Sequence, residues 1–404
     1  MAALCATRTS SFEMTGLEGK AIAGKKSIAI VGVAESDFGT VPDKTVHELH
    51  AQAAVRAMQD AGIDRDEIDG LLSTGGADGL HVLQLSEYLG LQPRYLDSTA
   101  VGGSSWEAFV EHAFLALDAG TCSTALLVYG STAKSDVARR LRSADVSFGA
   151  RGPNQYEGPF GPTLISKYAM IARRHMHEYG TTSEQLAAIS VATRKNAARN
   201  PKAVMQDPIT VEDVMNSRMI ADPLHLLDCC LRTDGCGAII LTTAERAKSL
   251  RKPPVWVIGS GSAESHLNMS QMEDMTVSPA VRSGATAFGE ADIKPSDVDV
   301  LQVYDAFTIM ALMTLEALGF CKPGEGGPFV EDGKLAYDGA LPTNTDGGGL
   351  SSNHPGMRGI FLLIEAVRQL RGESTAQVSD PRIAVCNATG GFMSHCSTIV
   401  LAKD

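Results

Sequence analysis

Three short stretches near the C-terminal end carry residues suited to proton transfer: Val303-Tyr304-Asp305-Ala306-Phe307, Asn353-His354-Pro355-Gly356 and Val385-Cys386-Asn387-Ala388. His354 follows an Asn and precedes Pro-Gly, on backbone that the proline stiffens. Its imidazole titrates near neutrality and suits a base acting on a thiol or hydroxyl. Tyr304 offers a phenol that can act as a general acid toward an alkoxide. Cys386 closes an apolar run, and a thiol at a strand end beside a histidine ionises readily. His112, His225 and His395 have no such setting and are expected to be structural, as are Cys122, Cys236, Cys321 and Cys396.

Those stretches must be positioned by a large folded chain. With 404 residues, two domains are expected. Apolar residues make up 44% and charged residues 20%, a globular composition, and the net charge of −12 argues against a general polyanion-binding surface. Scarce aromatics argue against base stacking, so no nucleic-acid partner is expected. One local basic patch stands out, with Lys167, Arg173, Arg174, Arg194, Lys195, Arg199 and Lys202, and a solvated helix face is its expected role. The eight cysteines lack CxxC spacing, which fits neither a disulfide framework nor a zinc site and points to a reducing cytoplasm. No run has the roughly 18 apolar residues of a membrane span. Residues 1–26 read as a flexible extension.

The chain then repeats itself. Lys26–Gly32 is a buried strand closing on Gly, followed by a helix over Val46–Ala61 that Gly62 ends. Val255–Gly259 is a second such strand, followed by a helix ending near Ala291-Asp292-Ile293. Ala57, Ala61, Ile63, Asp69 and Leu71 recur as Ala287, Ala291, Ile293, Asp299 and Leu301. Each half also has a Gly-rich loop opening a helix, Gly102-Gly103-Ser104 before Trp106–Leu117 and Gly356-Met357-Arg358-Gly359 before Ile360–Leu370. Strands alternating with helices predict mostly parallel sheets. The boundaries expected are 27–253 and 254–404, with a helical excursion over about 131–222 in the first half. Excursions of that length commonly cover active sites.

A duplicated βαβ unit, a helical excursion and three C-terminal loop motifs in this order resemble the thiolase superfamily over residues 27–404. Pro223-Leu224-His225-Leu226-Leu227-Asp228-Cys229-Cys230 through Gly235 resembles its sterol-carrier-protein-type branch. The resemblance implies an α/β, five-layered αβαβα fold, a dimer, and a coenzyme A thioester as substrate with no permanently bound cofactor or metal. It implies catalytic roles for His354 and Cys386. Tyr304-Asp305 stands where thiolases have Asn-Glu, the Asn holding a water for the thioester oxygen, and Asp305 is expected to hold the same water as a catalytic residue. Cys230 matches a position that touches the pantetheine arm. The family's nucleophilic cysteine is missing: helix-end alignment puts Gly103 at its place, and Gly103 and Ala388 are the expected oxyanion and nucleophile-loop positions. A Gly there leaves space for a bulky acyl chain. Thiolase-type, coenzyme A-dependent cleavage is the favoured expectation, with retro-aldol cleavage of a β-hydroxyacyl-CoA as the alternative and a non-catalytic acyl-CoA carrier as the third. Members of this branch often work with a small OB-fold, zinc-ribbon subunit, which here would come in trans.

Overall fold

The computed structural model describes residues 26–75, 80–138 and 154–404. All but Lys26 of the expected N-terminal extension, and residues 139–153 of the expected excursion, lie outside them. Among the described residues there are eleven strands: β1 (Ile28–Glu35), β2 (Gly70–Leu72), β3 (Tyr95–Asp97), β4 (Thr124–Ser131), β5 (Met219–Ala221), β6 (Leu224–His225), β7 (Gly235–Thr243), β8 (Val255–Glu264), β9 (Val300–Val303), β10 (Ile383–Gly390) and β11 (His395–Ala402). The longer helices are α1 (Val46–Ala61), α2 (His81–Leu89), α3 (Ser105–Asp118), α4 (Leu164–Tyr179), α5 (Ser183–Ala197), α6 (Ala280–Ala291), α7 (Thr308–Ala317) and α8 (Gly359–Arg371).

Nine strands form one sheet in the order β3-β2-β4-β7-β1-β8-β11-β10-β9. The two halves join where Ala29 pairs with Trp256 and Ile30 with Val255. α3 and α8 pack on each other and touch strands of both halves, while α1 covers β1 and β7 from outside and α6 covers β8 and β11. The layers therefore run helix, half-sheet, paired helices, half-sheet, helix.

The duplication extends to individual contacts. A Cβ at Gly32 would lie 2.4 Å from the Ala57 carbonyl oxygen, and one at Gly259 would lie 2.3 Å from that of Ala287. Only glycine lets strand and helix approach so closely. The Asp60 carboxylate accepts from Val33 N–H at 3.0 Å, and the Glu290 carboxylate from Ser260 N–H at 3.0 Å. Asp69 accepts from the N–H groups of Ser123 and Thr124, and Asp299 from those of Arg382 and Ile383.

The sheet is mixed, which corrects the expectation of mostly parallel strands. β2 pairs parallel with β3 and β4, and β9 with β10, whereas β7 runs antiparallel to β1 and β4, and β11 antiparallel to β8 and β10. Only four residues separate β10 from β11, and so short a connection can join only antiparallel strands. In the excursion, α4 and α5 both start at Thr capping boxes, Thr163 with Ser166 and Thr182 with Gln185. α5 packs against α7 and against a π-turn at Gly348–Ser352, so the excursion braces the loop that carries His354.

Candidate active site

The N-termini of the two central helices meet at glycines. A Cβ at Gly359 would lie 2.4 Å from both the Gly103 carbonyl oxygen and Glu107 Oε2, so neither helix start tolerates a larger residue there. A Cβ at Gly103 would lie 2.4 Å from Cε2 of Tyr304 and 2.6 Å from the Thr389 carbonyl oxygen. The room at Gly103 is therefore filled by the Tyr304 ring, which corrects the expectation that it receives an acyl chain. A glycine's missing side chain can be replaced by any residue the fold brings near, and β9 brings Tyr304.

Tyr304 is fixed by its N–H, which donates to the Asn387 carbonyl at 3.0 Å. Its ring stands edge-on to that of His354, centroids 5.5 Å apart at 87°. Burial holds the phenol well above its usual pKa, and the Cys230 and Tyr129 groups nearby push the same way. It stays protonated at physiological pH and can donate.

His354 is buried, and burial followed by the Arg358 charge lowers its pKa to about 4. The imidazole is neutral above that. Its backbone is clamped on both sides: its N–H donates to Thr233 Oγ1 at 3.0 Å, and Thr233 N–H donates to its carbonyl at 3.3 Å. Tyr129 locks the next turn, donating to the Pro355 carbonyl at 2.6 Å and accepting from Met357 N–H at 3.0 Å. The ring's Nε2 is buried without a hydrogen-bond partner. Ser352 Oγ, Asn353 Nδ2 and Arg358 Nε share that state. Buried polar atoms are nearly always paired, so four such atoms within seven residues single this segment out as the candidate place for a water or a ligand.

Asp305 is committed elsewhere than to a substrate-binding water. Its carboxylate accepts from Gly349 N–H at 2.7 Å and Leu350 N–H at 3.3 Å, capping the π-turn, and lies 3.6 Å from Arg358 Nε. Burial raises its pKa, and the Arg358 charge opposes that rise. Arg358 is wholly buried and holds Asp346 through Nη2, at 2.7 and 2.6 Å, and Asn353 through Nη1. Sequence reading missed Arg358, Thr233 and Tyr129. The signal available was polar residues beside the His354 motif, and it does not distinguish a buried brace from a solvated side chain.

The Cys386 thiol is hydrogen-bonded to neither Tyr304 nor His354. The strand expected to end at Cys386 continues to Gly390, because residues 387–390 stay paired with β11. The thiol faces the central helices, 3.5 Å from the Leu362 carbonyl, and burial plus the nearby Glu107 carboxylate raise its pKa well above the usual thiol value. That is the setting of an inert thiol. Ala388, two residues on, is buried within the same strand. Cys230 is half-buried on the site side, its N–H bonded to the Ala306 carbonyl, and its thiol is pushed up to about 12, chiefly by burial and then by Asp305.

Five of the seven residues of the basic patch are paired with carboxylates around them. Lys167 pairs with Glu157, Arg173 with Asp222, Arg174 with Glu178, Lys195 with Asp338 and Lys202 with Glu35. Arg194 is buried on Ser351 and the Asp207 carbonyl, and Arg199 lies over the Tyr337 ring. Among the described residues no group of His, Cys, Asp and Glu could hold a metal ion, and no helix is long and apolar enough to cross a membrane.

Residues 261–403 match the thiolase C-terminal domain-like family. The chain is 35% identical over 377 residues to an acetyl-CoA acetyltransferase of Methanothermobacter thermautotrophicus, covering 91% of this chain and 97% of that one. It is 36% identical over 367 residues to the 17-hydroxy-3-oxo-4-pregnene-20-carboxyl-CoA lyase of Mycobacterium tuberculosis, covering 87% and 93%. Among solved structures, an Ltp2-ChsH2(DUF35) aldolase superimposes with a TM-score of 0.85 at 32% identity, over 94% of this chain and 98% of that one.

Proposed function

The chain belongs to the thiolase superfamily, in its sterol-carrier-protein-type branch, and from that premise we propose that it is a lyase cleaving a β-hydroxyacyl-CoA by retro-aldol reaction. The observation that carries this reading is the Tyr304 ring in the volume where a nucleophile's side chain would stand at position 103. Retro-aldol cleavage needs no covalent acyl-enzyme. It needs a base for the β-hydroxyl proton and a donor for the negative charge that develops on the thioester.

His354 suits the first role. Its imidazole is neutral, and its buried Nε2 has no hydrogen-bond partner and is the nitrogen proposed to accept the proton. As the β-hydroxyl proton moves to Nε2, the Cα–Cβ bond breaks and its electron pair becomes the thioester enolate. A ketone or aldehyde departs, and the enolate takes a proton at Cα to give the shortened acyl-CoA. Tyr304 suits the role of donor to the developing charge, since its phenol keeps its proton.

The lyase relative's name places a hydroxyl at carbon 17 and the thioester carboxyl on carbon 20, so its substrate is itself a β-hydroxyacyl-CoA with a bulky polycyclic group. The same class is proposed here. A small OB-fold, zinc-ribbon subunit in trans is proposed as partner, because the aldolase of similar structure is paired with a DUF35 protein. The second reading, coenzyme A-dependent acyl transfer, is favoured by the acetyltransferase relative. It would use Cys386, whose thiol burial holds protonated, with His354 as base, or free coenzyme A attacking the ketone directly.

The test is turnover of paired β-hydroxyacyl-CoA and β-ketoacyl-CoA substrates with and without free coenzyme A. Release of ketone from the hydroxy substrate without coenzyme A is expected. Cleavage of only the keto substrate, and only with coenzyme A, would sink the lyase reading. Binding of both without turnover would make the chain a carrier.

A further inference from the structure

A cavity lies where the end of β1 and the turn after it meet α1, α8 and the segment that follows α5. It holds about 440 Å³, and Glu35, Asp37, Phe38, Arg56, Lys202 and Arg368 line it. The volume falls within the range of small-molecule sites. Arg368 lies nine residues beyond Gly359 on α8, roughly 13 Å along the helix axis. Solvent reaches the cavity, since the side chain of Lys202 is 62% exposed and that of Arg56 is 42% exposed.

The charges around this cavity do not cancel. The Glu35 carboxylate is buried and shared by two cations, Arg368 at 2.6 and 3.2 Å and Lys202 at 3.4 Å. Asp37 is shared in the same way, by Arg56 at 2.9 Å and by Lys44. Both carboxylates are ionised at neutral pH. Burial pushes the Glu35 pKa up, but Arg368 and Lys202 outweigh it, and hydrogen bonds from Lys44, Gln52 and Arg56 hold Asp37 well below the usual carboxylate range. Four cations therefore face two carboxylates. That is a local excess of two positive charges in a chain of net charge −12.

The same groups keep hydrogen-bond donors uncommitted. A guanidinium has five and an ammonium three. Among the described residues, Arg368 donates once from each terminal nitrogen to Glu35, and Arg56 donates once to the Glu35 carbonyl at 3.0 Å and once to Asp37. Lys202 donates once, to Glu35. Three donors of each arginine and two of the lysine remain. The Lys202 backbone is also held in place: its N–H donates to Asn200 Oδ1 at 3.0 Å, and Asn200 Nδ2 donates to the Asp346 carbonyl at 2.9 Å. Val204 and Met205 then donate to the Ser352 and Ser351 carbonyls. The half-buried Phe38 ring gives the cavity one apolar wall.

We propose that this cavity is an anion site, separate from the place of the coenzyme A thioester, that binds a phosphate dianion, either free or as the monoester group of a small metabolite. A phosphate group carries close to two negative charges at neutral pH and at least three acceptor oxygens, which match the excess charge and the donors lining the cavity. A monocarboxylate would leave one positive charge unmatched. The Phe38 wall suits the organic part of a monoester.

Isothermal titration calorimetry of the full chain with inorganic phosphate and with phenyl phosphate, in dilute buffer of constant ionic strength, provides the test. Saturable binding by the wild type is expected, weakened about 10-fold by Lys202→Ala and by Arg56→Gln, each of which removes a charge-assisted contact. Both variants leave each carboxylate one cation, Arg368 for Glu35 and Lys44 for Asp37, so folding is preserved. Lys195→Ala, at an exposed lysine paired with Asp338 outside the cavity, should leave the affinity unchanged. Tighter binding of phenyl phosphate than of phosphate would uphold the site as one for a monoester, and equal or weaker binding would uphold it as one for the free ion. Absence of wild-type binding overturns the proposal, as does an equal loss in Lys195→Ala, which would mean unspecific ion attraction. Displacement of bound phosphate by coenzyme A overturns it too, because the cavity would then belong to the thioester's own binding site.

Discussion

Tyr304 fills the place of a side chain at position 103: a Cβ there would stand 2.4 Å from Cε2 and 2.6 Å from Cζ of its ring. The two positions lie in different halves of the chain, so the missing nucleophile and the phenol are one feature. Gly103→Ala should destabilise the protein by about 1–3 kcal/mol through overpacking. Tyr304→Ala should relieve part of that cost, since the Thr389 carbonyl at 2.6 Å remains. Thermal or urea unfolding of the two single variants and the double would read the coupling, of order 0.5–3 kcal/mol for contacting residues. Simple additivity would mean that Tyr304 does not occupy the space. By the same geometry, Gly103→Cys alone should form no acyl adduct with an acyl-CoA, as read by intact mass.

Tyr304→Phe and Cys386→Ser separate the two mechanisms. Loss of the phenolic donor is expected to lower cleavage of a β-hydroxyacyl-CoA by roughly 10²–10⁴. Cys386→Ser is expected to leave it nearly unchanged, because the thiol faces Leu362 in the core. Steady-state rates of ketone release, measured without coenzyme A, check both. A collapse in Cys386→Ser with normal folding would return that thiol to the mechanism.

How much of this was legible before the fold follows from the range of each signal. The duplication was readable because Ala57, Ala61 and Asp69 recur at a constant spacing, and each makes the same contact twice. The His354 motif was readable because its turn chemistry is local. Cys386 misled, since Asn-Ala-Thr-Gly looks like the end of a strand, yet β11 supplies those residues with pairing partners. Gly103 misled because the residue that fills it comes from 201 positions away, beyond any local pattern. Arg358 reads as an ordinary residue at a helix start and is in fact wholly buried between two carboxylates.

Arg358 should be the most sensitive side chain of the loop. Removing it leaves Asp346 and Asp305 buried without their counter-charge, and breaking such a pair costs about 3–5 kcal/mol. Arg358→Met is therefore expected to lower the urea midpoint severely. Arg358→Met with Asp346→Leu should recover part of the loss, because Asp346 then needs no partner. A double variant no better than the single would show that Arg358 acts through Asp305 and Asn353 instead.

Two buried groups give opposite responses to pH. His50 is wholly buried, its Nε2 has no hydrogen-bond partner, and burial lowers its pKa to about 3. Between that value and about 6.5 the unfolded chain binds a proton that the folded chain refuses, so stability rises with pH across that window. His50→Gln should flatten the rise by about one proton, or about 1.4 kcal/mol per pH unit at most. Urea unfolding of both proteins from pH 4.5 to 7 reads the difference.

Glu107 works the other way. It lies at the first turn of α3, both carboxylate oxygens are buried without partners, and burial raises its pKa well above the usual carboxylate range. The folded chain therefore keeps a proton that the unfolded chain releases above about pH 4.5. Above that pH the unfolded state gains ionisation that the folded state lacks, so wild-type stability falls as pH rises toward the folded pKa. Glu107→Gln has nearly the same shape and cannot ionise in either state. It should match the wild type near pH 4 and become progressively more stable than it as pH rises, with the gap levelling once the folded pKa is passed. Parallel unfolding curves from pH 4 to 9 provide the measurement. A constant gap would show that Glu107 ionises alike in both states, and a gap of opposite sign would show that its carboxylate has a partner in the folded protein.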